Sequence, residues 1–340
     1  MLRQALGLVA ALACSATHAA QLSDCLPRGA ALLNVRIGPG PALSAILEGG
    51  IETPLTLFES ATGNLLWSAA DHASAIQRVE AMDAAITGSL AAIDLDNDGL
   101  HDRIYAGDMA GRLWRLDLHH GAAAPEWASA SVFGDFSNDE GRGFIAPADV
   151  SLSAPPGLPA WLNIAIGTAA PGNAGANNRF YLLRDPSITP SAPAATRQPV
   201  RERDLRRVQA LPQENVDTAP DPDSRGWYIE LGGGHVLTPS LTVNHRAVLV
   251  ISSAIQLDGA ACEVFVRIAE LDLLQESVVP AGADGDWTRR MDAAVPAGST
   301  LEIARVEAGI AECSLAGERI PACDVDTRAR RTWWRRTDAE

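Results

Sequence analysis

Apolar and polar residues alternate over short runs along most of this chain, and turn-forming residues separate the runs. Arg112-Leu-Trp-Arg-Leu-Asp-Leu118 is the clearest case. Trp114, Leu116 and Leu118 fall on one face of a strand, and Arg115 and Asp117 fall on the other. Arg103-Ile-Tyr-Ala-Gly-Asp108 precedes it across a turn at Met109-Ala-Gly111, so the two runs predict a hairpin. Thr53–Glu59 and Asn64–Trp67, around Ser60-Ala-Thr-Gly63, predict another. Trp161–Gly167 pairs with Arg179–Arg184 through a Gly/Asn-rich loop over 168–178. Leu237–Val243 pairs with Arg246–Ser252 across Asn244-His245, and Glu263–Leu273 adds one or two strands. Gly232-Gly-Gly234 reads as a hairpin turn.

Recurring hairpins with Trp near a strand end predict an all-β chain of β-propeller type; an ordinary β-sandwich is the alternative. The recurrence is too loose to fix a blade count. One segment departs from the pattern. Residues 186–225 are rich in Pro, Ala and charge and form an irregular insertion or linker, with a helix predicted inside it over Arg201–Leu211. The tail Arg328-Ala-Arg-Arg-Thr-Trp-Trp-Arg-Arg336 alternates polar and aromatic residues. It suits a last strand in which Trp333 or Trp334 closes the fold, the other reading being a docking tail for an acidic partner.

The N-terminus changes the picture of where the protein works. Arg3, the apolar run Ala5–Ala13 and the small residues through Ala20 have the layout of a secretory signal peptide over 1–20. A mature chain over 21–340 would begin at Ala20 or Gln21. Export places it in the periplasm, at the outer-membrane surface or beyond. Four cysteines then remain: Cys25, Cys262, Cys313 and Cys323. An even number in an exported chain predicts disulfides, and the short separation favours Cys313–Cys323. No other stretch is long and apolar enough for a transmembrane helix. Hydrophobic residues make up 47% of the 340, enough for a sizeable core. The formal net charge of −15 speaks against nucleic acid and anionic lipid, which need a basic footprint, and suits a divalent cation.

The candidate chemistry is concentrated in Asp94-Leu-Asp-Asn-Asp-Gly-Leu-His-Asp102. Asp94, Asp96 and Asp98 stand two apart, so a tightly wound loop can converge all three on one ion. Gly99 permits the bend, the Leu100 carbonyl takes the seventh position of an EF-type loop, and Asp102 takes the ninth. The twelfth position is Tyr105 rather than a bidentate Glu, and the flanks are strand-like, so the loop lies between strands and not between helices. Calcium, a hard cation wanting six to eight oxygens, fits better than magnesium, which keeps its waters. A solvated acidic turn is the plain alternative. Asp135-Phe-Ser-Asn-Asp139 lacks metal-loop spacing and reads as a turn. Nucleophile-elbow, zincin, dinucleotide and P-loop motifs are all missing, and the seven histidines are scattered, so no catalytic residue is assigned.

Ala91-Ala-Ile-Asp-Leu-Asp-Asn-Asp-Gly-Leu-His-Asp-Arg-Ile-Tyr-Ala-Gly-Asp-Met-Ala-Gly-Arg-Leu-Trp-Arg-Leu-Asp-Leu118 closely resembles the signature of the PilC/PilY family of type IV pilus biogenesis proteins. Leu162–Gly167 with Asn178–Asp185, Gly226–Leu231 with Val236–Leu241, and the Arg/Trp tail look alike in the same order. Ala61–Trp67 is similar to the strand–turn–Trp element of quinoprotein-like propellers. The resemblance spans roughly 50–275. It implies a modified, quinoprotein-like β-propeller. It also implies a calcium cofactor on Asp94, Asp96, Asp98, the Leu100 carbonyl and Asp102. The role implied lies in pilus extension, retraction or tip adhesion, with minor pilins, other tip components or a host or surface ligand as partners. Family members usually carry a long N-terminal region, and here the signal leads almost directly into the propeller-like part. Two other readings stand beside a non-enzymatic pilus factor: a quinoprotein-like dehydrogenase, and a surface scaffold unconnected to pili.

Overall fold

The computed structural model describes residues 29–50, 55–71, 73–88, 90–170, 173, 175–190, 198–209, 221, 223–258, 261–281, 286–291, 295–296, 299–307 and 310–326; over 253–263, 296, 303–312 and 321–326 it describes the backbone only. The expected signal peptide over 1–20, Cys25 and the Arg/Trp tail lie outside these residues. So do the side chains of Cys262 and Cys323. Cys313 is buried, on a strand next to the one that carries Cys323.

The predicted hairpins are present, and they assemble into successive sheets. The first sheet runs β1 (Ala30–Val35), β2 (Leu43–Gly49), β3 (Leu55–Glu59), β4 (Leu65–Ala70) and β5 (Gln77–Arg78) in that order. The second holds β6 (Ala91–Ile93), β7 (Arg103–Gly107), β8 (Arg112–Leu118) and β9 (Ala128–Asp135). The third is built on β12 (Trp161–Ala169), β13 (Asn178–Asp185) and β16 (Gly226–Gly232), with β10 (Gly143–Phe144) and β11 (Asp149–Ser153) beside β12. The fourth centres on the long pair β18 (Arg246–Asp258) and β19 (Ala261–Asp272), edged by β17 (Leu241–Val243), β20 (Ser277–Val279), β21 (Thr288–Arg290) and β22 (Val295–Pro296). A three-stranded meander follows, β23 (Leu301–Glu307), β24 (Ile310–Leu315) and β25 (Glu318–Asp326).

Each sheet packs on the next through its own core, which is how propeller blades stack. Leu33, Leu47, Leu57 and Trp67 of the first sheet meet Ile104, Trp114 and Leu116 of the second. Tyr105 and Leu113 on the opposite face of the second meet Ile164, Tyr181 and Leu183 of the third. Phe180, Trp227 and Ile229 meet Leu249, Ile251 and Leu271 of the fourth. Val250 and Val266 meet Leu315 and Ile320. The chain is therefore all-β, of β-propeller class. Two consequences separate it from a sandwich. An internal blade is covered on both faces, so its strands bury consecutive residues: all nine of β12 are buried. And polar residues on the alternate face must find partners inside the protein, not in water.

The predicted helix over Arg201–Leu211 is corrected. Glu202–Asp204 is a single 3-10 turn, flanked by β14 (Val200–Arg201) and β15 (Arg206–Val208). The Asp204 carboxylate accepts the Arg201 N–H at 2.8 Å, which closes the start of the turn, but Leu205 is already extended, so the turn does not propagate. Among its described residues only Leu205 and Val208 are buried, too few for an amphipathic stripe. β14 lies parallel to β9 and β15 parallel to β16, so this part of the insertion joins the second sheet to the third. Gly232-Gly-Gly234 ends β16 and leads out of the third sheet; it does not join two paired strands. Among the described residues no helix is long and apolar enough to cross a membrane.

Candidate metal centre

The acidic loop fills the connection between two directly paired strands. Ile93 faces Arg103 across the β6–β7 ladder, and residues 94–102 bulge out from that pair. Asn97 (φ 62°) and Gly99 (φ 92°) both take left-handed backbone, the conformation a short loop needs to turn twice and one that Asn and Gly tolerate best. The loop's own carboxylates organise its backbone: Asp96 accepts the Asp98 N–H at 3.1 Å, Asp98 the Leu100 N–H at 2.8 Å, and Asp94 the Gly99 N–H at 2.9 Å. Asp102 accepts the Leu95 N–H at 2.6 Å.

Three of the carboxylates converge. Asp94, Asp96 and Asp102 each offer an oxygen within 4.8 Å of the others. Asp98 is not in that group; its side chain is exposed and caps the Leu100 N–H. Leu100 is buried and anchors the loop. Asp102 is buried too, and burial raises its carboxyl above the usual range; the Leu95 N–H opposes that, and repulsion from Asp96 and Asp94 adds to it. Asp94 Oδ1 is buried without a hydrogen-bond partner. Hard anionic oxygens, no ion pair to any of the three among the described residues, and a buried acceptor without a partner fit a divalent cation of the calcium type.

Behind the loop lies a charge network that the strand pattern only hinted at. Arg103, fully buried, follows Asp102 directly. Its Nε donates to Asp117 at 2.7 Å and its Nη atoms to the Ser187 and Thr189 carbonyls. Arg115 donates to Asp117 and, at 2.9 Å, to Asp185. The Tyr105 hydroxyl donates to Asp185 at 2.6 Å. Burial works against the Arg103 cation, and Tyr105, Asp117 and Asp185 more than offset it, so its pKa is raised; burial holds the Tyr105 phenol well above its ordinary value. The signal in the sequence was Arg115 and Asp117 on the alternate face of an otherwise apolar strand.

The Gly107-Asp108…Gly111…Trp114 spacing also has a physical reason. Asp108, fully buried, accepts the Ala110 and Arg112 N–H groups on one oxygen, and Arg112 Nε and Trp114 Nε1 on the other. One carboxylate therefore closes the turn and fixes the Trp that fills the core. A Cβ on Gly107 would stand 2.4 Å from Phe144. His119 is exposed, whereas His120 is half-buried, its Nε2 3.0 Å from the His101 carbonyl.

No family model matches the chain, and no curated protein matches it. Among solved structures, the crystal structure of the Pseudomonas aeruginosa PilY1 C-terminal domain superposes with a TM-score of 0.62 at 14% identity, over 85% of this chain and 71% of that one. Quinohemoprotein alcohol dehydrogenase from Comamonas testosteroni gives 0.38 at 11% identity, over 84% of this chain and 42% of the enzyme. BamB from Moraxella catarrhalis gives 0.29 at 13%, over 85% and 75%. The likeness to the PilY1 domain is one of fold.

Proposed function

We propose that this chain is a calcium-binding β-propeller module of PilC/PilY type, exported and non-enzymatic, that serves type IV pili in assembly, in extension and retraction, or at the tip. The observation that carries the reading is the convergence of Asp94, Asp96 and Asp102 within 4.8 Å on a loop between paired strands, with Asp94 Oδ1 buried and unpartnered. The loop stands in the blade whose hairpin carries the family-like signature, and the fold is that of the PilY1 C-terminal domain. Calcium would be held by Asp94, Asp96 and Asp102, with the Leu100 carbonyl as a further oxygen that the resemblance implies; the resemblance also implies Asp98, whose carboxylate here caps the Leu100 N–H instead. When bound it supplies charge neutralisation and rigidity rather than a reactive group. Minor pilins or other tip components are the proposed partners.

Isothermal titration of the purified protein with calcium tests this directly. Wild type should bind and Asp94→Ala should lose binding with its far-UV circular dichroism unchanged. In the cell, Asp94→Ala should alter surface piliation or twitching motility at unchanged protein abundance. Equal calcium affinity in the two proteins, or binding in neither, would remove the reading. N-terminal sequencing of the cellular protein checks export: the mature chain should start at Ala20 or Gln21.

A further inference from the structure

We propose that the Asp94–Asp102 loop is a clasp between the first and second sheets, positioned by His101 and His120, and that calcium occupancy sets how tightly it holds the edge of β1. The inference deepens the calcium reading above and rests on it. β1 is the edge strand of its sheet, and an open edge leaves backbone groups without partners. At Asn34 both groups are taken by one residue of the acidic loop. The Asn34 N–H donates to His101 Nδ1 at 3.0 Å, and the His101 N–H donates to the Asn34 carbonyl at 3.0 Å. Two residues on, the Arg36 N–H donates to His120 Nδ1 at 3.3 Å, and the Arg36 carbonyl accepts the Gly121 N–H at 3.0 Å. The two rings are linked as well, His120 Nε2 lying 3.0 Å from the His101 carbonyl. Since each Nδ1 accepts a backbone N–H, each neutral ring carries its proton on Nε2, and His120 is left in the tautomer that donates to His101.

The position of His101 in the chain makes this a clasp and not a mere contact. Asp102, next to it, is sewn into the second sheet: its N–H donates to the Ile93 carbonyl at 2.7 Å and its carbonyl accepts the Leu118 N–H at 2.8 Å. Asn34 belongs to the first sheet. His101 is the single residue between a converging carboxylate and the neighbouring blade. With no cation, Asp94, Asp96 and Asp102 repel one another, and the repulsion is borne by the loop that holds His101 in place. With calcium, the carboxylates are pulled together and His101 is set against Asn34. Linkage makes the effect reciprocal: whatever factor calcium adds to the clasp, the clasp adds to calcium affinity. His101 and His120 are positioning residues, as neither ring is offered to the ion.

The experiment combines amide hydrogen exchange over residues 33–37 with calcium titration of the full chain. In wild type, calcium should slow exchange at Asn34 and Arg36 about tenfold or more. His101→Ala should weaken calcium binding about tenfold, the scale of a lost outer-shell partner, and abolish that protection. His101→Asn should keep most of both, because its Oδ1 can accept the Asn34 N–H where Nδ1 did. If His101→Ala does not fold, as judged by circular dichroism, His120→Ala makes the same comparison through the His101 carbonyl. A wild type that binds calcium without slowing exchange at Asn34 overturns the clasp and leaves the calcium reading standing. So does a His101→Ala variant that binds as tightly as wild type. A wild type that binds no calcium overturns both.

Discussion

Two clusters of charge meet at the Asp102–Arg103 bond, and they are built on opposite principles. On one side, Asp94, Asp96 and Asp102 crowd like charges together with no basic side chain among them. On the other, Arg103 and Arg115 face Asp117 and Asp185 in a buried set with equal numbers of each sign. The second cluster is complete without help from outside; the first is not. Local charge balance, and not the number of acids, separates a structural network from a candidate ion site. The strand register sorts them: the balanced set lies on the buried alternate face of β7 and β8, completed by Asp185 of β13, and the unbalanced set lies where the ladder opens into a loop.

The largest expected effect comes from unbalancing the buried set. Arg103→Ala leaves Asp117 and Asp185 with one guanidinium fewer and strips donors from the Ser187 and Thr189 carbonyls. Removing one partner of a buried ion pair costs about 3–5 kcal/mol, and chemical denaturation should show a loss of that size. A loss below about 1 kcal/mol, the scale of surface pairs, would mean that the network is solvated and the contrast false.

The next effect balances the other set. Calcium at a hundred times its dissociation constant should stabilise wild type by about 2.7 kcal/mol, seen as a higher melting temperature, and should leave Asp94→Ala unmoved. Without calcium the variant loses one repelling carboxylate and also the acceptor of the Gly99 N–H, two effects of opposite sign, so it should melt within a few degrees of wild type. A calcium-free variant that melts several degrees lower would show that the loop's carboxylates support the fold by themselves.

A third acid tests what happens when burial comes with neither a cation nor an arginine. Asp149 on β11 keeps part of its surface, but protein atoms surround its carboxyl, which accepts the Thr242 and Ser240 hydroxyls and the Thr242 backbone N–H. Burial pushes it up to about 6 from 3.8, against those hydrogen bonds. The folded state therefore binds the proton more tightly than the unfolded chain does. Stability from this group is greatest below about pH 4 and falls as pH rises towards 6, after which the penalty is constant. Asp149→Asn removes the penalty and should stabilise by roughly 1–3 kcal/mol at pH 7–8, with the gain vanishing near pH 4. A gain independent of pH would point to packing instead of charge.

Much of this was legible from the residues. The alternation in 103–118 located β7 and β8, and the Asp spacing located the loop. What escaped has a common cause: it depends on partners far along the chain. Arg115 and Asp117 read as a polar face, and only the third sheet, which brings Asp185 seventy residues on, makes that face interior. The helix expected over Arg201–Leu211 failed because strand pairing with β9 and β16 outweighed local propensity. His101 read as a loop residue because its partner, Asn34, stands in another blade. Spacing within the loop treated Asp94, Asp96 and Asp98 as equivalent, and it could not show which side chains would turn to the backbone.

That last distinction gives the smallest and sharpest test. An EF-type reading of the loop makes Asp98 a ligand, and it would then be as costly to lose as Asp96. In the structure Asp96 converges with Asp94 and Asp102, whereas Asp98 is exposed and its Oδ1 holds the Leu100 N–H. Asp98→Ala should therefore act on the loop's backbone. Losing one such cap costs about 1 kcal/mol of loop or fold stability, because the Leu100 N–H must find water or go unpaired. Its effect on calcium should be modest, through a looser loop and one fewer charge nearby, and well short of the loss from Asp96→Ala. Paired titrations of the two variants decide between the roles. Equal losses would mean that Asp98 swings onto the ion when calcium arrives and gives up its Leu100 bond, which would make the loop a site formed by binding. Unequal losses, with Asp96→Ala the worse, would mean that three carboxylates and the backbone already hold the site's shape.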